Sequence, residues 1–146
     1  MSALFRGPEP LRMALAARSL PQVLADVRAR VGDWATGLGL PGHTVDDIVL
    51  ATHEALANVA DHAYPDGAGT AELEAACTGG EVRVVVRDSG RWRAPASDPG
   101  WRGRGLVIIR GLAEHVDVHR AEDGTVVAMR WRLPGTSSDG SRPMPE

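Results

Sequence analysis

Residues 70–90, TAELEAACTGGEVRVVVRDSG, contain two runs in which apolar and charged residues alternate on either side of Gly79-Gly80. Alternation with a period of two predicts half-buried β-strands, and a Gly-Gly pair between two such runs favours a tight hairpin. In the second run, Asp88 falls in register with three valines that share one face. The stretch therefore predicts a hairpin that carries a carboxylate on its apolar face.

Two helices are predicted before this hairpin. A strand at residues 11–17 leads into the first helix, which begins at Ser19 and has Gln22 in the capping-box position. The second helix is predicted from about 45 to 63, with Thr44 as its N-cap.

The chain after the hairpin contains a long irregular segment and three further elements. Residues 89–105 are rich in Gly, Pro and Arg and lack periodicity, which predicts a functional loop. A short helix at about 105–113 and strands near 115–120 and 125–133 follow. The order of elements predicts an α/β fold. The expected architecture is a two-layer α/β sandwich, whose mixed, mostly antiparallel sheet is covered on one face by helices.

One domain is expected, at residues 11–133. Residues 1–10 are predicted to form a flexible N-terminal arm, and residues 134–146, rich in Pro, Gly and Ser, a disordered C-terminal tail. A chain of 146 residues is long enough for one substantial core.

Composition excludes several classes of function. The net charge of −3 gives no support for direct nucleic-acid binding. All 16 basic residues are Arg, so a lysine cannot contact phosphate or act as a nucleophile. Cys77 is the single cysteine, which rules out an internal disulfide and favours a buried thiol. The five histidines lack the spacing of a metal site. No apolar stretch is long enough to span a membrane, and a cytoplasmic location is expected.

Asp88 is the most informative polar residue. A buried carboxylate is costly unless a donor binds it, and a ligand amine could be that donor. An Asx-type turn, in which Asp88 caps its own loop, explains the residue equally well. Thr125 faces the same interior, where its hydroxyl could bond a ligand, Asp88 or a backbone group.

Glu54 and Asn58 project from one face of the second helix, because they lie four residues apart. A carboxylate can deprotonate a nucleophile, and an amide oxygen can bind Mg²⁺. A solvated helix face is the simpler explanation for the pair alone.

Glycines also precede the last predicted helix, in residues 101–106, WRGRGL. Backbone N–H groups at a helix N-terminus can bind phosphate, and neighbouring arginines add suitable charge. A flexible surface loop is the alternative.

Together these motifs resemble those of GHKL ATPases, in the form found in anti-sigma factor serine/threonine kinases. Residues 54–64, EALANVADHAY, resemble the N-box of that family. Asp88-Ser89-Gly90 resembles the first glycine box, Gly103-Arg104-Gly105-Leu106 the second, and Gly124-Thr125 the final adenine-side motif. The four motifs occur in the family's order.

The resemblance implies a Bergerat fold, with ATP and Mg²⁺ between the helices and the sheet. It assigns Glu54 as the general base, Asn58 as the Mg²⁺ ligand and Asp88, helped by Thr125, as the acceptor for the adenine amino group. The remaining residues that it implies for cofactor binding are His62, Gly90, Gly103, Arg104, Gly105 and Leu106, of which Gly103 and Gly105 would lie in a lid over the phosphates.

The resemblance also implies partners. The phosphoryl group would go to a serine or threonine of a small anti-anti-sigma (STAS-type) protein, a sigma factor would be the alternative partner, and the kinase would be a homodimer. Asp61 stands where histidine-kinase relatives often have a basic residue, which favours the anti-sigma branch.

One departure from the family pattern keeps a second interpretation open. Trp92 occupies the position of the second glycine in the first glycine box, where it cannot supply the same backbone freedom. A catalytically inactive or weakly ATP-binding module that sequesters a partner is therefore the alternative. A fragment of a larger sensor is not expected.

Overall fold

The computed structural model describes residues 9–64, 68–90 and 99–133. It contains five β-strands and three α-helices in these ranges: β1 Leu11–Ala16, α1 Leu20–Thr36, α2 Gly42–Asn58, β2 Thr70–Thr78, β3 Glu81–Asp88, α3 Pro99–Leu112, β4 His115–Ala121 and β5 Gly124–Arg132. The predicted order of elements is confirmed. The predicted arm and tail lie largely outside the described residues.

The strands form one sheet in the order β1-β2-β3-β5-β4, and each described pair of neighbours is antiparallel. The predicted hairpin joins β2 to β3. Gly79 and Gly80 both have positive φ angles, 60° and 77°, which a two-residue type I′ turn requires. The alternation of residues 70–90 therefore fixes both the hairpin and its register.

The helices cover one face of the sheet, and α2 packs between α1 and α3. The core lies between the two layers, where Val31, Ile48, Leu73, Val84 and Met129 have little or no exposed surface. Burial of these aliphatic side chains supplies the main driving force for folding, since aromatic residues make up only 4% of the chain.

The opposite face of the sheet is rich in charge. Arg12 on β1 forms an ion pair with Glu74 on β2 at 2.8 Å, and Arg130 on β5 lies 3.7 Å from Glu81 on β3. Such exposed pairs contribute little to stability, but they keep this face hydrated.

The predicted start of α1 is confirmed, because Ser19 is its N-cap residue, but the predicted capping interaction of Ser19 and the predicted start of α2 are wrong. Ser19 makes no capping hydrogen bond, because a 3₁₀ turn at Ala17–Ser19 already places its backbone in the helical region. Helix α2 begins at Gly42 after Pro41, so Thr44 lies inside the first turn and is not the N-cap.

Cys77 lies on the core side of β2, opposite Val82, and is half-buried. Burial removes water from the thiol and raises its pKa above the ordinary value, which disfavours the reactive thiolate. The predicted core role for this cysteine agrees with that environment.

No helix among the described residues is both long and apolar enough to cross a membrane.

Two leucines of α2 provide a test of this packing. Leu56 is fully buried, whereas Leu50 is 43% exposed on the same helix. We expect Leu56→Ala to lower the free energy of unfolding by about 2–5 kcal/mol, because it removes buried methyl groups and leaves a cavity. Leu50→Ala should change it by less than about 0.5 kcal/mol. Urea denaturation of both variants measures the difference, and equal effects would contradict the described orientation of α2.

Candidate functional site

Glu54 and Asn58 lie in the last two turns of α2, and both are half-buried. Asn58 is the final α-helical residue, because the chain continues as a π-helical turn at Val59–Ala63. Single π-helical turns are frequent at functional sites, where they alter the direction of the side chains that follow. The four-residue spacing keeps the carboxylate and the amide on one side of the helix.

Asp88 ends β3 with its side chain turned toward the interior, as predicted, and is 7% exposed. Thr125 lies directly opposite it on β5 and is 3% exposed. The backbone N–H of Gly90 donates to Oδ1 of Asp88 at 3.0 Å. The Asx-type turn that the sequence left open is therefore present, and it orients the carboxylate.

Gly90 brings the end of β3 against the end of the π-helical turn. A β-carbon on Gly90 would come within 2.1 Å of the carbonyl oxygen of Ala63. Only a residue without a side chain permits this approach. The Asp88 turn therefore contacts the end of the π-helical turn, Val59–Ala63, that begins directly after Asn58.

Gly124 makes a second close approach at the same site. Its φ angle is 147°, and a β-carbon there would lie 2.1 Å from the carbonyl oxygen of Asp88. The motif Gly124-Thr125 therefore has two functions in the structure. The glycine permits contact between β5 and the end of β3, and the threonine then faces Asp88 across the strands.

Tyr64 is a site residue that the sequence reasoning missed. Its hydroxyl donates to the carbonyl oxygen of Thr70 at 2.8 Å and accepts from the N–H of Ser89 at 2.7 Å. Tyr64 is the last residue of the segment that resembles the N-box, which was the available signal, but neither backbone partner is visible in a sequence pattern.

A cavity of about 400 Å³ opens beside this site. It reaches Asp88 and Thr125, but its other walls include Glu72, Arg87 and His119, whose side chains are exposed on the charged face of the sheet. Successive residues of a strand point to opposite faces of the sheet, so these three residues lie on the face away from the helices. This cavity is therefore not the cleft that was predicted between the helices and the sheet.

The comparisons with known proteins agree with these motifs. The chain matches the family described as the histidine kinase-like ATPase domain over residues 17–131. It is 30% identical over 137 residues to the serine-protein kinase RsbW of Halalkalibacterium halodurans, covering 84% of this chain and 82% of RsbW.

The chain belongs to the anti-sigma factor kinases of the GHKL superfamily.

A solved structure shows the same architecture. It contains the RsbU and RsbW domains of a Mycobacterium tuberculosis protein, with a TM-score of 0.70 and 28% identity. The match covers 86% of this chain but only 33% of the M. tuberculosis chain. The α/β fold predicted from the GHKL motifs is therefore confirmed.

The second glycine box of this GHKL chain differs from the prediction. Helix α3 begins at Pro99, so the backbone of Gly103 and Gly105 is helical and does not form a loop before the helix. Proline is common at the first position of a helix, so Pro99 was a start signal. The many glycines nearby led to the prediction of a loop instead. Leu106 is 7% exposed and packs in the core, which accounts for an apolar residue at that point.

Some predicted site residues cannot be placed further. The side chains of His62 and Arg104 lie outside what the structure describes, and so does Trp92. The roles of His62 and Arg104 in cofactor binding stay predictions.

Mg²⁺ fits this site only as an ion that arrives with the nucleotide. Among the described residues, no group of three or more His, Cys, Asp and Glu could hold a metal. The amide oxygen of Asn58 is one hard donor at the half-buried end of α2. Mg²⁺ commonly binds one or two protein oxygens and takes its other ligands from substrate phosphates and water.

The contact between Gly90 and Ala63 gives a testable consequence. We expect Gly90→Ala to lower the free energy of unfolding by about 1–3 kcal/mol, because the added methyl group must displace backbone. Urea denaturation measures this loss.

Gly111→Ala is the matched control. Gly111 lies in α3 with nothing within 4 Å of the added carbon, and alanine is a better helix former by about 0.5–1 kcal/mol. A Gly90→Ala variant as stable as the wild type would show that the two backbone segments are not in contact.

Proposed function

We propose that this chain is a Mg²⁺- and ATP-dependent serine/threonine protein kinase that acts as an anti-sigma factor in partner switching. The observation that supports the proposal is the contact of Gly90 with Ala63, because it brings the buried Asp88 turn against the end of the π-helical turn that follows Asn58. The family to which the chain belongs supports the same activity.

Asp88 is suited to recognise the adenine base. Its carboxylate is nearly buried and is oriented by the Gly90 N–H, so an exocyclic amino group would donate to a preorganised acceptor. Hydrogen bonds to ionised groups are about twice as strong as neutral ones. The Thr125 hydroxyl, on the facing strand, is placed to bond a neighbouring ring nitrogen or a bridging water.

Glu54 is suited to the role of general base. In the proposed transfer, the hydroxyl oxygen of the partner's serine or threonine forms a bond to the γ-phosphorus of ATP. The bond from that phosphorus to the β,γ-bridging oxygen breaks, and ADP leaves. The Glu54 carboxylate accepts the hydroxyl proton.

Asn58 lies one helical turn further, where its amide would hold the ion that accompanies the phosphates. Mg²⁺, when bound, neutralises phosphate charge, and the protein contributes mainly by positioning the reactants. The half-buried position of both side chains limits access of water without closing the site to a partner hydroxyl.

The proposed acceptor is a small anti-anti-sigma protein of the STAS type, and a sigma factor is the alternative partner. Both follow from the similarity to RsbW. Homodimeric assembly and a cytoplasmic location belong to the same proposal and stay predictions.

A non-catalytic module is the second candidate, and Trp92 favours it. A tryptophan where the family pattern has glycine would change the segment after the Asp88 turn. Calorimetry with ATP and Mg²⁺ separates the candidates: no heat of binding and no thermal shift would favour the regulatory module.

The roles of Glu54 and Asn58 can be separated experimentally. We expect Asn58→Ala to abolish ATP binding or turnover, because it removes the protein ligand of Mg²⁺. Glu54→Gln should leave the dissociation constant of ATP unchanged within about twofold and lower the transfer rate by about 10²–10⁴-fold. Radiolabelled transfer to purified STAS proteins, with calorimetry in parallel, measures both effects.

Asp26→Asn is the control for these variants, since Asp26 is exposed on α1 and remote in sequence from the four motifs. Normal transfer by both the Glu54 and Asn58 variants would refute the proposed kinase mechanism.

A further prediction concerns base recognition. Asp88→Asn replaces the charged acceptor by an amide, so the dissociation constant of ATP should rise by about 10–100-fold, as expected for loss of a hydrogen bond to a charged group. Asp26→Asn, at an exposed position of α1, should not change it. Equal affinities of the wild type and both variants for ATP would show that Asp88 does not bind the nucleotide.

A further inference from the structure

The hydroxyl of Tyr64 joins three separate segments of the chain. Tyr64 follows the π-helical turn, Thr70 begins β2, and Ser89 follows the last residue of β3. The hydroxyl donates to the Thr70 carbonyl at 2.8 Å and accepts from the Ser89 N–H at 2.7 Å. It therefore uses both its donor and its acceptor capacity on backbone groups.

The ring of Tyr64 is held between two glycines. A β-carbon on Gly69 would lie 2.1 Å from Cε1 of the ring, and one on Gly90 would lie 2.9 Å from the same atom. Gly69 is itself anchored, because its carbonyl oxygen accepts from the N–H of Ala17 at 2.8 Å. The ring consequently has little freedom to move away from the Asp88 turn.

These contacts lead directly to the Asp88 carboxylate. Tyr64 holds the N–H of Ser89, and its ring packs on Gly90, whose own N–H orients Oδ1 of Asp88. The same tyrosine follows Ala63, which closes the turn that begins after Asn58. A shift of Tyr64 would therefore change the position of the adenine acceptor relative to the phosphate end of the site.

We infer that Tyr64 is a positioning residue for nucleotide recognition: its hydroxyl and ring set the Asp88 turn at a fixed place against the Glu54/Asn58 helix end, and so determine the preference for adenine. This inference rests on the proposed function, since it requires that Asp88 binds the adenine amino group. It assigns no direct ligand contact to Tyr64.

The test uses the full chain and Tyr64→Phe, which keeps the ring and removes only the hydroxyl. Calorimetry with Mg²⁺ gives the dissociation constants of ATP and of ITP, which lacks the amino group that Asp88 accepts from. We expect the constant for ATP to rise about tenfold and that for ITP to change less than about twofold. The ratio of the ITP constant to the ATP constant should then fall.

A merely structural role predicts a different result. General loosening of the fold would lower the melting temperature. It would raise the dissociation constants of ATP and ITP by the same factor, or leave both unchanged. Trp34→Phe is the matched control, because it removes a single ring N–H bond to the Glu9 carbonyl, 3.0 Å long, on α1. Its nucleotide constants should equal those of the wild type.

A second variant tests the inference without altering the tyrosine. In Gly69→Ala the added carbon would push against Cε1 and displace the ring. We expect the same selective loss of ATP affinity, and this variant decides the matter if Tyr64→Phe does not fold. An unchanged ratio of the two constants overturns the inference while leaving the proposed kinase intact. A wild-type chain that binds neither nucleotide overturns both.

Discussion

At the end of β3, Gly90 lies so close to the carbonyl oxygen of Ala63 that a side chain of any size would separate the two segments. The remaining parts of the candidate site depend on this approach. It sets the Asp88 turn beside the π-helical turn after Asn58, and it leaves room for the ring of Tyr64. Gly124 adds a similar approach from β5. In this site, close backbone contacts at Gly90 and Gly124 set the position of the Asp88 carboxylate.

The sequence predicted the sheet well because strand periodicity reports burial directly. Asp88 was placed on the inner face by its register with alternating valines, and its low exposure agrees. Harder to predict were the capping of α1 and the starts of α2 and α3. Ser19 has the residue type of an N-cap, but the 3₁₀ turn before it sets its backbone angles, and that turn is a property of how β1 joins α1. Residue propensities cannot predict such a constraint, because it depends on the tertiary structure.

The candidate site could be proposed from side-chain chemistry, whereas its backbone contacts could not be predicted from the sequence. Glu54, Asn58 and Thr125 have side chains whose chemistry suggests a role. Tyr64 acts on the N–H of Ser89, which lies 25 residues later in the chain, and no spacing rule relates them. Close approaches of the kind made by Gly90 require coordinates, since a glycine in a sequence does not show what it faces.

The order of strands also bears on how the protein is made. β5 is the last of the strands that the structure describes, yet it lies between β3 and β4 in the sheet. During synthesis on the ribosome, β3 can pair with β2 at once, but its other edge stays unpaired until Gly124–Arg132 has emerged. Pairing between distant segments is slow to form, and exposed strand edges favour association with other chains. Thr125 reaches Asp88 only at that stage, so the end of β3 gains its partner on β5 after β4 has been made.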